Sequence, residues 1–109
     1  MTSAYDRDKL VELFGDDPRT LAEVEREFLD TARGAEREII GTDDLAAIAR
    51  VAHRLKGASG MIGAAVLRHI AEAVERAAKA EDLPSVRRLH GMFSQEVQRV
   101  AEQAGVDED

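Results

Sequence analysis

With 109 residues, the chain is long enough to close one hydrophobic core and too short for two. Fifteen Lys and Arg against 22 Asp and Glu leave a net charge of −7, which argues against nucleic acid as the main partner, because gripping a phosphate backbone calls for a basic surface. No cysteine is present, so a disulfide framework and a thiolate metal site are both excluded.

Apolar residues recur at helical spacing nearly throughout, and no stretch alternates as a half-buried strand does. Leu10, Val11, Leu13 and Phe14 mark a short first helix that Gly15 ends. Asp17 followed by Pro18 is a cap and first turn, opening a long second helix with Leu21, Val24, Phe28, Ala32, Ala35 and Ile39 on one face. Gly41 stops it. Thr42, Asp43 and Asp44 offer capping oxygens to a third helix striped by Leu45, Ile48, Ala52, Leu55, Ser59 and Ile62. After a turn at Gly63, Leu67, Ile70, Val74 and Ala77 define a fourth helix. Asp82 and Pro84 restart the chain into a fifth, carrying Val86, Leu89, Phe93, Val97 and Val100. The pattern predicts an all-α protein, an antiparallel up-and-down four-helix bundle with a short additional N-terminal helix. Residues 1–109 read as one domain, with a tail at 105–109 expected to be solvated and frayed.

The first residues, MTSAYDRDKL, lack the apolar stretch of a signal peptide, and no apolar run approaches the roughly 18 residues a membrane helix needs. A cytoplasmic monomer is expected, with no membrane partner. Met1 and the charged tail read as a free-standing protein, although a cloned domain would end the same way.

Acidic residues are absent from Leu45 to Ala71, a segment that contains Arg50, Arg54, Lys56 and Arg68 and so counts +4 against −11 for the remainder. His53 lies inside this basic island. Ala52 belongs to the core stripe, so His53, about 100° further round the helix, leaves the core at its flank. Its neighbours on the outer face are Ala49, Arg50, Lys56, Gly57 and Gly60. An interior glycine costs a helix roughly 1 kcal/mol relative to alanine. Free access to His53 is the expected reason for tolerating one at Gly57.

If Gly63 and Ala64 turn an antiparallel hairpin, residues equidistant from them lie level, pairing His53 with Glu75 and Lys56 with Glu72. A carboxylate at Glu75 would accept the Nδ1 proton of His53 and leave Nε2 unprotonated and nucleophilic. By spacing alone, Glu75 reads equally well as one more solvated acid. Lys56, one turn from His53, would face an anion carried by the imidazole, for which a phosphoryl group is the leading candidate. His-x-x-Lys alone is not diagnostic.

His53, Leu55, Lys56, Gly57, Ser59, Ile62, Gly63 and Ala64 resemble the H-x-L-K-G-[SA]-[SA]-x-x-[LI]-G-A signature of histidine-containing phosphotransfer (Hpt) domains. The preceding GTDDLAAIARVAH is similar to that family's run into Ala-His. Ala58 stands where many members have serine, and Ser59 remains as a small polar contact or cap. The resemblance implies that His53 is the phosphoacceptor, exchanging phosphate at Nε2 with the phospho-aspartate of a response-regulator receiver domain. It implies that Lys56 stabilises the phosphoryl charge and that Glu75, matching a position often Gln or Glu, is the imidazole's hydrogen-bond partner. Ala49, Arg50, Arg54, Gly57 and Gly60 would form the docking face, with Leu29, Leu10 and Phe14 as further apolar candidates.

The implied partners are receiver domains and a hybrid sensor histidine kinase. The receiver would hold the Mg²⁺, and this chain would bind no cofactor. In agreement, there is no G-x-x-x-x-G-K-[ST] loop, and GASGMIG follows a helix rather than a strand. The chain therefore reads as a phosphocarrier without kinase or ATPase activity of its own; the alternative is a non-phosphorylated adaptor that docks regulators or kinases. His53, His69 and His90 form no Glu-x-x-His or His-x-x-x-His pair, so no metal site is expected.

Overall fold

The computed structural model describes residues 3–106, which form six helices and no strand. They are α1 (Arg7–Phe14), α2 (Pro18–Ile40), α3 (Leu45–Met61), α4 (Ala65–Lys79), α5 (Leu83–Arg88) and α6 (His90–Ala104). Helices α2, α3, α4 and α6 form a ring in which α3 packs on α4, α4 on α6, α6 on α2 and α2 on α3. Their shared core includes Leu29 and Ala32 of α2, Ile48 and Leu55 of α3, Leu67 and Val74 of α4, and Phe93 and Val100 of α6. Each of these side chains larger than alanine contributes about 1.5–3 kcal/mol by leaving water.

The helix starts follow from local chemistry. The Asp17 carboxylate accepts from the N–H of Arg19, and that of Asp44 accepts from Ala46 and Ala47, so donors left open in each first turn are satisfied. Thr42 caps nothing itself; its hydroxyl accepts from the Asp44 N–H and steadies the capping residue. At the same end of the bundle, Arg87 donates to the carbonyls of Ile39 and Thr42 and to Asp43, at 2.6–2.7 Å, and so ties the α2 exit to α5.

The single fifth helix of the sequence reading is divided at Leu89 into α5 and α6. The Leu89 N–H is shared between the carbonyls of Ser85 and Val86, a 3₁₀-like tightening that leaves the backbone helical. Gly105 and Val106, expected in a frayed tail, instead close α6: Gly105 adopts φ 75°, and the Val106 N–H bonds to the Ala101 carbonyl. Val106 also packs against the core. Residues 107–109 of that tail lie outside the described residues.

Of the apolar residues that mark α1, Leu10 alone is buried; Val11, Leu13 and Phe14 face solvent. The segment before α1 is more deeply held than α1 itself. Tyr5 is buried, and its hydroxyl donates to the buried carboxylate of Glu25. Burial and that neighbouring carboxylate push the phenol well above its ordinary range. Gln103 of α6 accepts from the N–H of Ala4 and Tyr5 and donates to the Tyr5 carbonyl, while the Asp6 N–H reaches the Ile62 carbonyl at 3.0 Å. This strap presses on the α3–α4 turn.

Gly63 makes the turn possible on two counts. Its φ of 71° is disfavoured for any residue with a Cβ, and a Cβ there would lie 2.6 Å from Asp6 Cβ. Gly63→Ala is therefore expected to destabilise the bundle by about 2 kcal/mol, read as a lower urea midpoint at unchanged slope.

Candidate functional site

Helix α3 buries Ile48, Val51, Ala52, Leu55 and Ser59, which turns the next residue, His53, out of the core. The His53 side chain is 65% exposed. Ser59 is not the polar contact foreseen for it: it is fully buried against the core, and its Oγ has no hydrogen-bond partner. The hairpin register places Gly60 beside Arg68 and His53 beside Glu75. Helix α4 buries Ala71, Val74, Glu75 and Ala78 as one stripe, so the Glu75 carboxylate lies at the edge of the core facing α3.

The Nδ1 atom of His53 is 2.9 Å from Oε2 of Glu75, close enough for an Nδ1–H to donate to the carboxylate. With Nδ1 protonated, Nε2 keeps a free lone pair. Glu75, 6% exposed, also accepts from two ammonium groups: Lys56 Nζ on Oε1 and Lys79 Nζ on Oε2, each at 3.0 Å. One carboxylate therefore carries three donors. Lys56 meets Glu75 rather than the Glu72 that hairpin levelling pairs it with; Glu72 bonds its own helix neighbour Arg76 at 2.9 Å. The four-carbon stem of Lys56 spans the extra level to reach the carboxylate set deeper in the interface.

A groove of about 500 Å³ runs past the imidazole, lined by Ala49, Arg50, His53, Arg54, Glu75 and Lys79. A Cβ placed at Gly57 would meet no atom within 4 Å beyond its own stretch of helix, so the helix is bare one turn above His53. Gly60 is less open, since a Cβ there would come within 3.2 Å of Arg68 Cδ, and Lys9 Nζ approaches its carbonyl. Arg54 lies 3.8 Å from Glu38 with both side chains in solvent, a separation at which little is gained. Leu10 and Leu29, further apolar docking candidates of the sequence reading, are fully buried and offer no surface to a partner, whereas Phe14 is exposed.

Helices α3 and α4 together thus present an exposed imidazole, a buried carboxylate paired with its Nδ1 and two ammonium groups on that carboxylate. The family model for the Hpt domain matches residues 9–103, nearly the whole chain. The protein belongs to the Hpt domain family. Hpt domains carry out histidine phosphotransfer in two-component phosphorelays and interact there with receiver domains. Neither the comparison with curated proteins nor that with solved structures gives a match.

Lys79 of this Hpt domain is the site residue that the sequence reading passed over. Its signal is present in the sequence: Glu75 and Lys79 are spaced i,i+4 in the stabilising order, acid before base. Among the described residues, no group of three or more His, Asp or Glu is arranged to hold a metal ion, and no helix is long and apolar enough to cross a membrane. His90 approaches Glu36 at 3.3 Å, and His69 is exposed.

Hydrogen bonds from Lys79 and then Lys56, with a smaller one from His53, hold the Glu75 carboxyl at about 2, against an ordinary 4.5, and outweigh the opposing effect of burial. Since folding lowers this pKa, the native state is favoured wherever Glu75 is ionised, and the advantage disappears as pH falls through about 2. The stability difference between wild type and Glu75→Gln is accordingly expected to narrow between pH 4.5 and about 2. Urea midpoints across that window check it; a constant difference would contradict the assignment.

Proposed function

We propose that this Hpt domain is a relay intermediate in which His53 is the phosphoacceptor. The lone pair of Nε2 attacks the phosphorus of a receiver's phospho-aspartate; the Nε2–P bond forms as the acyl phosphate O–P bond breaks, freeing the aspartate carboxylate. Nδ1 keeps its proton throughout, so the phosphorylated ring carries a positive charge that the Glu75 carboxylate faces. Lys56 offsets charge on the phosphoryl oxygens. Phosphoryl transfer asks mainly for in-line positioning and charge stabilisation, so a nucleophile and a docking surface are enough on this side.

Ala49, Arg50, Arg54, Gly57 and Gly60 form the docking face in this reading, and the arginines favour encounter with the acidic, Mg²⁺-holding rim of a receiver. A hybrid sensor kinase supplies the phosphate, and the domain works as a cytoplasmic monomer with no kinase activity of its own. The observation that carries the reading is the pairing of an exposed imidazole with a buried carboxylate through Nδ1, which leaves the outer nitrogen for chemistry.

The test is to incubate the protein with a receiver carrying labelled phosphate, in the presence of Mg²⁺, beside a His53→Gln variant. Acid-labile, base-stable label on the wild type alone is the expected result. Label retained by the variant would remove His53 from the role, and an unlabelled wild type that still binds receivers would make the protein an adaptor.

A further inference from the structure

Glu75 holds more positive charge than orienting one imidazole requires. Its Oε1 is satisfied by Lys56, yet its Oε2, already occupied by His53 Nδ1, takes a second donor from Lys79. The two contacts through that oxygen, 2.9 and 3.0 Å, put the Lys79 ammonium no more than 5.9 Å from Nδ1. Lys79 and His53 also border the same groove, which Lys56 does not. The imidazole is therefore flanked by cations on two sides. Their packing differs: the Lys56 side chain is 30% exposed and Lys79 67% exposed, so Lys79 is the one that can leave the carboxylate with little loss of contact.

We propose that Lys79 is a second phosphoryl-binding cation, stored on Glu75 in the unmodified protein and transferred to the phosphoryl oxygens when His53 is phosphorylated. The proposal rests on His53 as the phosphoacceptor and adds a group that the reaction itself summons. Before transfer, two ammoniums face one carboxylate and the cluster is cationic, which attracts an incoming phosphoryl group. Afterwards the ring gains one positive charge and the phosphoryl group brings about two negative ones, so the cluster with both lysines is neutral. Without Lys79 the product cluster is left with a net negative charge beside a buried carboxylate. The ring now claims Oε2 of Glu75 more strongly, since Nδ1–H donates from a cation, and this loosens the same oxygen's hold on Lys79.

The experiment loads His53 with phosphoramidate, so that no receiver is needed. The P–N bond of the donor breaks as the Nε2–P bond forms, ammonia leaves, and Nδ1 keeps its proton. ³¹P NMR then follows the second ionisation of the phosphoryl group against pH in wild type, Lys79→Met, Lys79→Arg and Arg76→Gln. An ammonium in contact stabilises the dianion, so Lys79→Met is expected to raise that ionisation by about one pH unit, and Lys79→Arg to restore it. Arg76→Gln removes a cation of α4 that bonds Glu72 and should leave it unmoved. A wild-type value in Lys79→Met overturns the proposal while leaving His53 as acceptor. Failure of the wild type to take phosphate on His53, shown by equal label in His53→Gln, overturns both readings.

Discussion

Gly57→Leu is expected to make the protein more stable and, at the same time, lower phosphoryl transfer by about a hundredfold. The two effects share one geometric cause. Gly57 lies in the interior of α3, exposed, with nothing within 4 Å of the position a Cβ would take, so a larger residue meets no clash. Leucine is a strong helix former, and the exchange should raise stability by about 1 kcal/mol. Side chains on a helix lean toward its N-terminus and cover the turn before their own Cα. At position 57 that turn carries His53, and the leucine would fill the path by which an aspartyl phosphate comes into line with Nε2. Gly57→Ala separates the effects, gaining most of the stability while leaving the approach largely open. Thermal melts and initial transfer rates from a phosphorylated receiver measure both quantities. Transfer by Gly57→Leu within about threefold of wild type would refute the access argument.

Glu75→Ala is expected to slow transfer by about tenfold to a hundredfold, because a hydrogen bond to a charged partner is worth about 1.5–3 kcal/mol and each 1.4 kcal/mol is a factor of ten. The carboxylate fixes the proton on Nδ1 before reaction and faces a positively charged ring after it. Removing it frees the imidazole to rotate and to place its proton on Nε2, where no attack is possible. It also leaves Lys56 and Lys79 without the anion they share. Glu75→Gln keeps an acceptor for Nδ1–H and loses only the charge, so it should fall between Ala and wild type. Transfer rates together with ¹⁵N shifts of the His53 ring report the two roles separately. A Glu75→Ala protein with the Nδ1–H tautomer and unchanged transfer would show that the pairing is ornamental.

Most helix boundaries were legible because they carry their own punctuation, although α4 and α6 start without a side-chain cap. Asp17–Pro18, Asp44 and Asp82 start helices through side-chain oxygens that accept from backbone N–H groups a few residues on, and Gly15 and Gly41 end them. Such interactions lie within one turn, so sequence order contains them. The same holds for His53: a histidine directly after a core alanine must leave the core at its flank, whatever packs against the helix. The division at Leu89 was not legible, because the apolar stripe from Val86 to Val100 runs through it unbroken.

Periodicity and local capping were enough for every helix but the α5–α6 pair, for the order of the elements and for the placing of a histidine, a lysine and a glycine on one outer face. Packing settles which groups meet across elements: Tyr5 with Glu25, Arg87 with the end of α2, and Glu75 with His53 and Lys56. The physical reason is that charge and burial are shared properties. A glutamate, read alone, is a solvated acid; inside the α3–α4 interface it must collect donors to remain ionised, and the long lysine stems that reach it come from both helices.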